Sequence, residues 1–498
     1  MLQRWHWSFS LPESIKLSDT QNLWTATVLV AVHFLLGVVN MALISYNALD
    51  VIFRDLDDVI ILKNVRCNEI MTLENVSADI WRFISSEGRA EFYDIVANIS
   101  ELYDISQDEI IDDIEEFINV LFEEGVIMIN GSYYIPTSEE NNQSKCPQED
   151  FEGQIMQIYQ DKGLIYSVTF ELTYACNERC IHCYANYPTD SNKKQPLTIE
   201  QVKKVISDLY QMKCMHITFT GGDPFMFKEF TDLFVYTRNM GFSCDIFTNA
   251  VYLSEHPEEL SNILAHKPQA FFISLYGADA ETHEGITTIP GSFNKTVSTI
   301  KKIKQAGISV VLNVMLLKNN VDKIESIVSF IKELDVEYRI GISLIYKNDG
   351  SDSPMQYFVE DKNAIKKALS IEKERFYSID QHIGAEKEND VFFCGAGRTS
   401  LDVSPDGTVF PCVSLKYPMG NIFDEAISNI WNSEKRRKLI SLLSWENATK
   451  CRECKYVDKC PHCIGISQLE TGDMFSCNTC DKVLAECLYE IGYYSNPT

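Results

Sequence analysis

ELTYACNERCIHCYAN, residues 171–186, closes an apolar run at 165–171 and carries Cys176-x3-Cys180-x2-Cys183. Three thiolates on one loop reach three irons of a four-iron, four-sulfur cube and leave the fourth iron without a protein ligand. A structural zinc ion asks for four ligands, usually in paired spacing. This loop offers only three cysteines, with His182 as a candidate fourth ligand. The spacing therefore favours a cluster with an open iron over a closed zinc site.

Outward from that loop, apolar strand candidates recur at 165–171, 215–219, 243–248, 270–275, 308–315 and 338–344. Stretches of helical periodicity, such as 198–212 and 293–306, separate them. Repeated strand–helix units imply a parallel sheet of about six units. Functional residues of such folds lie at the C-terminal ends of strands. The second strand ends in Gly221-Gly222-Asp223-Pro224. Glycines there let backbone approach a ligand closely, and the acid is a hydrogen-bond acceptor.

A Cys-x3-Cys-x2-Cys loop followed one strand later by Gly-Gly-acid resembles the radical S-adenosylmethionine superfamily, and the resemblance covers about 160–345. It implies an α/β fold, a partial (β/α)6 TIM-like barrel. It also implies that S-adenosylmethionine chelates the open iron of a 4Fe–4S cluster and is cleaved to a 5′-deoxyadenosyl radical, a step the cofactor supplies while the protein orients it. The family's Gly-Gly-Glu aligns with Gly221, Gly222 and Asp223, with Asp in place of the usual Glu. Further cofactor-lining positions implied by the resemblance are Thr248, Asn249, Ser274 and Asn313; each would otherwise read as a strand-end cap. Gly395-Ala396-Gly397 lies among cysteines rather than opening a strand–helix unit, so it is no dinucleotide fingerprint.

Of 16 cysteines, Cys67, Cys146, Cys214 and Cys244 are scattered and the rest are grouped. Cys394-x12-Gly407-x4-Cys412 precedes Cys451-x2-Cys454-x5-Cys460-x2-Cys463, then Cys477, Cys480 and Cys487. Two Cys-x2-Cys pairs make one zinc ribbon, but too many thiols remain for a single zinc. LDVSPDGTVFPC (401–412) with MGNIFDEAISNIWNS (419–433) resembles the SPASM domain. That resemblance implies two auxiliary 4Fe–4S clusters in a crossed arrangement. Cys394, Cys412 and Cys463 would serve the first. Cys451, Cys454, Cys460 and either Cys477 or Cys480 would serve the second. The family's last spacing is Cys-x3-Cys where this chain has Cys460-x2-Cys463, so the sorting of ligands stays open, as does an open iron on the first cluster.

Toward the N-terminus, Val51-Ile52-Phe53 and Val59 to Leu62 are β-rich runs about an acidic turn, and helical periodicity follows at 73–84, 93–103 and 107–122. Asn75 or Ser77 is the candidate cap of the first of these helices, and 125–129 reads as a closing strand. The order is that of a winged-helix-like unit. Phe53-Arg54-Asp55 through Leu62, with Met71 to Trp81, resembles the PqqD-like domains of maturases of ribosomally made peptides. In such domains a leader peptide adds a strand to the small sheet.

Lys and Arg number 44 and Asp and Glu 71, for a formal net charge of −27, which argues against a nucleic-acid partner. Residues 23–46 lack charged side chains and are long enough to span a bilayer, though His33 and Asn40 interrupt them. The alternatives are a buried helix or upstream sequence from a misplaced start. Grouped thiols in a long acidic chain imply a reducing compartment. The expectation is a cytoplasmic protein, either free or anchored through 23–46.

The expected organisation is an N-terminal segment 1–47, a PqqD-like domain 48–135, a polar linker 136–160, a radical core 161–385 and a cluster domain 386–498 with little core of its own. The expected activity is hydrogen abstraction from a precursor peptide, closing a thioether or carbon–carbon cross-link. A flavodoxin or ferredoxin would supply electrons. The rivals are oxidation of a protein residue, as in sulfatase-maturing enzymes, and a zinc-stabilised peptide-binding scaffold.

Overall fold

The computed structural model describes residues 42–65, 69–134, 151–185, 197–376 and 394–492. The greater part of the 23–46 stretch, Cys67, Cys146 and the linker 136–150 lie outside them. The chain divides into two units, Met1–Pro147 and Gln148–Thr498.

In the first unit, strands β1 (Leu43–Ser45), β2 (Val51–Asp55), β3 (Val59–Asn64), β4 (Glu69–Glu74), β5 (Arg89–Glu91) and β6 (Met128–Ile129) form two three-stranded sheets, ordered β5-β1-β6 and β2-β3-β4. β1 takes up residues from the end of the uncharged 23–46 stretch. Ala42 and Ile44 are fully buried there, so this end of the stretch belongs to the unit's core. Among the described residues no helix is long and apolar enough to cross a membrane. Helices Asn75–Glu87, Phe92–Tyr103 and Gln107–Glu123 pack their apolar stripes around Trp81, which is fully buried and meets Phe53 edge-on at 5.6 Å. The first helix is capped by Glu74, not Asn75: the Ser77 hydroxyl accepts the Glu74 N–H at 3.1 Å in a capping box. Of the strand expected at 125–129, only Met128–Ile129 pairs.

The second unit carries a nine-stranded sheet. β7 (Ser167–Glu171), β8 (His216–Thr220), β9 (Ser243–Thr248), β10 (Ala270–Ser274), β11 (Ser309–Met315) and β12 (Glu337–Gly341) are parallel neighbours in chain order. Helices Ile199–Gln211 and Ser292–Gln305 stand where periodicity put them. Period-two alternation divides each strand. Val168, Phe170, Ile217, Phe219, Ile246, Phe271, Ile273 and Leu312 join the main core. The opposite face presents Thr169, Glu171, Thr218, Thr220, Phe247, Phe272, Ser274 and Asn313. On it Phe247 and Phe272 stack at 4.4 Å.

Beyond β7 the sheet continues into the C-terminal segment. β13 (Ser400–Val403) pairs parallel with β7, and β14 (Thr408–Phe410) and β15 (Gly420–Asn421) follow antiparallel. Leu401, Val403, Val409, Leu415, Ile430 and Trp431 belong to the same core as the barrel strands. The cluster-bearing segment thus borrows the barrel's core, which explains why it shows so little apolar periodicity of its own.

Candidate iron–sulfur and cofactor site

The loop after β7 is seated from two sides. Gly222 N donates to Thr173 O at 2.6 Å and Asp223 N to Ala175 O at 3.0 Å. On the other side Arg179 N donates to Thr287 O and Ile181 N to Ile286 O, both at 3.0 Å, so the helix Ala280–Thr287 holds the second half of the loop. The glycines are required by this contact. Gly221 has φ +136°, and a Cβ there would fall 2.2 Å from Thr173 O; a Cβ on Gly222 would fall 2.3 Å from Ala175 O.

Within the loop, Cys176 Sγ accepts from Glu178 N at 3.4 Å and from Asn249 Nδ2 at 3.5 Å. N–H donors aimed at sulfur favour the thiolate, the form that binds iron. Burial, ahead of the Asp223 charge, pushes the Cys176 thiol up to about 12. Cys180 rises well above the ordinary range, first through burial and then through Glu178, Cys183 and Cys176. A cationic cluster is what such a nest of buried, mutually repelling thiols needs to ionise. His182 is neutral, lowered to about 4 by burial, and meets Tyr276 edge-on at 4.9 Å.

Asp223 is fully buried and aimed inward. Its carboxylate accepts from Thr248 Oγ1 at 2.6 Å, Asn249 N at 3.0 Å and Phe225 N at 3.0 Å. It joins the end of β8 to the end of β9, and the Asn249 side chain carries that link on to Cys176. Burial sets its pKa up, to about 6, against the pull of those three donors. Ser274 and Asn313 are opposite one another in β10 and β11, and Asn313 faces Arg339 of β12. Asp223, Thr248 and Asn249 thus meet at the ends of β8 and β9 beside the loop, while Ser274 ends β10 and Asn313 lies within β11 next to it.

The C-terminal cysteines sort into two neighbourhoods. Cys412, pushed up to about 12 chiefly by burial, also feels Cys394 and Cys463. Cys451, buried first of all, feels Cys477 and Cys454, while Cys460 feels Cys477 and Cys451. Among the described residues the charges acting on Cys480 are those of Asp481 and Glu470 rather than of a cysteine, and its thiol is fully buried toward Leu344 O at 3.8 Å. Cys487 lies against Lys362 O at 3.7 Å. No disulfide joins any of the described cysteines. Among the described residues no three His, Cys, Asp or Glu side chains converge on one point as ligands of a single ion would. The donor set itself, three thiols on one loop with N–H groups aimed at Cys176 Sγ, fits a cube with one open iron.

Residues 170–331 match the model of the Radical SAM superfamily. These residues form a radical S-adenosylmethionine domain. Residues 394–461 match SPASM, an iron–sulfur cluster-binding domain, and 59–127 match coenzyme PQQ synthesis protein D. Among curated relatives, the AdoMet-dependent heme synthase of Methanosarcina barkeri is 28% identical over 329 residues, covering 61% of this chain and 93% of that protein. The mycofactocin maturase MftC of Mycolicibacterium smegmatis is 28% identical over 309 residues, 59% of this chain and 76% of that one. Among solved structures, Streptococcus suis SuiB bound to its precursor peptide SuiA superposes with a TM-score of 0.56 at 13% identity, over 89% of this chain and 99% of SuiB. At that identity the likeness establishes a shared fold.

Sequence reading missed four residues: Glu171 and Tyr184 of the radical SAM core, and Asp402 and Lys416 of the C-terminal segment. Glu171 lies in the first stretch quoted, a charged residue ending an apolar strand. That was a usable signal. Asp402 had none, because its strand's neighbour is more than 200 residues away.

Proposed function

We propose that this radical SAM enzyme matures a ribosomally made precursor peptide, abstracting hydrogen and closing a thioether or carbon–carbon cross-link. The observation that carries this is one chain joining a match to PqqD at 59–127, a radical SAM core and a SPASM segment. The relatives include both a heme synthase and a peptide maturase; the PqqD-like unit favours the peptide. In that unit β2 and β4 are the outer strands of their sheet among the described residues, the place where a leader adds a strand.

Cys176, Cys180 and Cys183 hold the cluster that, with S-adenosylmethionine, supplies the 5′-deoxyadenosyl radical. The Gly221-Gly222 turn and the Asp223–Asn249 link hold their loop in place, while Ser274 and Asn313 line the cofactor. A flavodoxin- or ferredoxin-type protein supplies electrons. Cys394, Cys412 and Cys463 serve one auxiliary cluster, and Cys451, Cys454, Cys460 and Cys477 the other. Cys477→Ala should therefore lower bound iron by up to about four per chain, one cube. Cys480→Ser should leave iron unchanged, and equal losses from both variants would overturn the sorting.

The function is tested by anaerobic co-expression with any short open reading frame found beside the gene, followed by mass spectrometry. Loss of two hydrogens per modification, in fragments that stay joined, supports a cross-link. The same loss confined to one residue supports the sulfatase-type rival. Zinc without labile sulfide in the purified chain supports the scaffold.

A further inference from the structure

β7 and β13 lie side by side with Thr169 opposite Asp402. Val168 and Phe170 of one strand, and Leu401 and Val403 of the other, enter the main core. Alternation therefore turns Glu171 and Asp402 to the opposite face, one step apart on the diagonal. Both side chains are fully buried. Glu171 is well provided for: it accepts from Tyr184 Oη at 2.8 Å and Tyr174 Oη at 3.0 Å, and Lys416 Nζ stands 3.9 Å away. Among the described residues neither oxygen of Asp402 has a hydrogen-bond partner.

Two enclosed carboxylates beside one lysine cannot both stay ionised, since like charges in a low-dielectric site drive one toward its neutral form. We infer that Glu171 and Asp402 hold one proton between them, and that the ionised member takes up the proton released when the peptide cross-link closes. This rests on the cross-linking reading above. The tyrosine and lysine contacts favour charge on Glu171, leaving the resting proton on Asp402. Burial raises both groups; Asp402 is raised further by the charge of Glu171, and Lys416 opposes the shift in each. The groups facing the pair are Tyr174 and Tyr184 of the cluster loop, Lys416 of the loop after β14, and Asp406 of the β13–β14 turn.

The chemistry requires such a group. A peptide C–H bond breaks and its hydrogen atom passes to the 5′-deoxyadenosyl radical. The resulting carbon radical bonds to a second group, Y, whose Y–H bond breaks. One electron is then left for an oxidised iron–sulfur cluster, and one proton must go to a base. Glu171 ends β7, the strand that leads into the primary loop, and its cationic neighbour Lys416 follows Cys412 by four residues. The partners of the pair thus come from both cysteine-bearing loops.

The test has two arms. Infrared spectroscopy of the full-length protein, without substrate, should show the carbonyl stretch of a protonated carboxyl. That band should move on labelling with ¹³C-aspartate and disappear in Asp402→Asn. The labelled wild type keeps this arm usable should the variant fold poorly, and a band that label does not move overturns the one-proton pair. In the second arm, a precursor deuterated at the abstracted position is given to wild type, Glu171→Gln and Glu171→Asp. Deuterium in 5′-deoxyadenosine reports abstraction, and joined peptide reports closure. Glu171→Gln should lower the ratio of joined peptide to deuterated 5′-deoxyadenosine by about 100-fold, the usual worth of a general base. It should also abolish the rise of that ratio with pH, and Glu171→Asp should restore part of both. An unchanged ratio and pH profile overturn the proton-acceptor role. Wild type that transfers no deuterium from any precursor overturns the maturase reading instead, and leaves the infrared result standing.

Discussion

Cys176→Ala is expected to abolish release of 5′-deoxyadenosine and to lower iron from about twelve to about eight per chain, the loss of one cube out of three. The effect should be total, because an open-iron cluster has no spare protein ligand. Two thiolates cannot hold three irons in place, and His182 is no substitute, because its ring is packed edge-on against Tyr276. Of the donors left behind, Glu178 N would lose its acceptor to a methyl group, while Asn249 Nδ2 would keep only its bond to Asn177 Oδ1. Iron and sulfide analysis, with quantification of 5′-deoxyadenosine under reducing anaerobic conditions, checks this. Unchanged iron would mean that the loop holds no cluster.

Gly222→Ala should be nearly as damaging without touching a ligand. The added methyl would sit 2.3 Å from Ala175 O and 2.7 Å from both Ala175 C and Tyr174 O. All three atoms are backbone, so the collision is relieved only by lifting the cluster loop off the β8 turn. That breaks the bonds from Gly222 N to Thr173 O and from Asp223 N to Ala175 O. Overpacking and two strained hydrogen bonds together cost roughly 3 kcal/mol. A displacement near 1 Å at a reacting centre costs about 100-fold in rate. Thermal unfolding and the rate of S-adenosylmethionine cleavage measure the two effects. Gly285→Ala is the control: it lies mid-helix with nothing within 4 Å of its would-be Cβ, and alanine there should be neutral or mildly stabilising. Equal behaviour of the two variants would refute the seating of the loop.

Both expectations begin in short-range pattern. Cys-x3-Cys-x2-Cys is a local statement about one loop, and so is Gly-Gly-Asp about one turn. The six strands from β7 to β12 were legible because each is a short apolar run with a helix after it, and parallel neighbours in chain order are the simplest way to join such units. The Asp223 carboxylate was read as a ligand-facing acceptor. Its inward course, to Thr248 and Asn249, depends on where the end of β9 lies, which the spacing of one turn does not contain. At the N-terminal unit the uncharged run 23–46 looked like one continuous element. Its last residues instead pair as β1 with β5 and β6, partners supplied 44 and more residues later.

The sequence alone determined the cluster loop, the parallel sheet and the family. Those rest on residues a few positions apart and on the alternation of strand faces, and local spacing carries both. The tertiary structure alone decided three things: that β13 closes against β7 and so places Asp402 beside Glu171, that Cys477 rather than Cys480 stands with Cys451, Cys454 and Cys460, and that the C-terminal segment shares the barrel's core. Each depends on contacts between residues far apart in the chain. Such contacts are selected by burial of complementary surface, and no periodicity in the sequence records which distant strand will provide it.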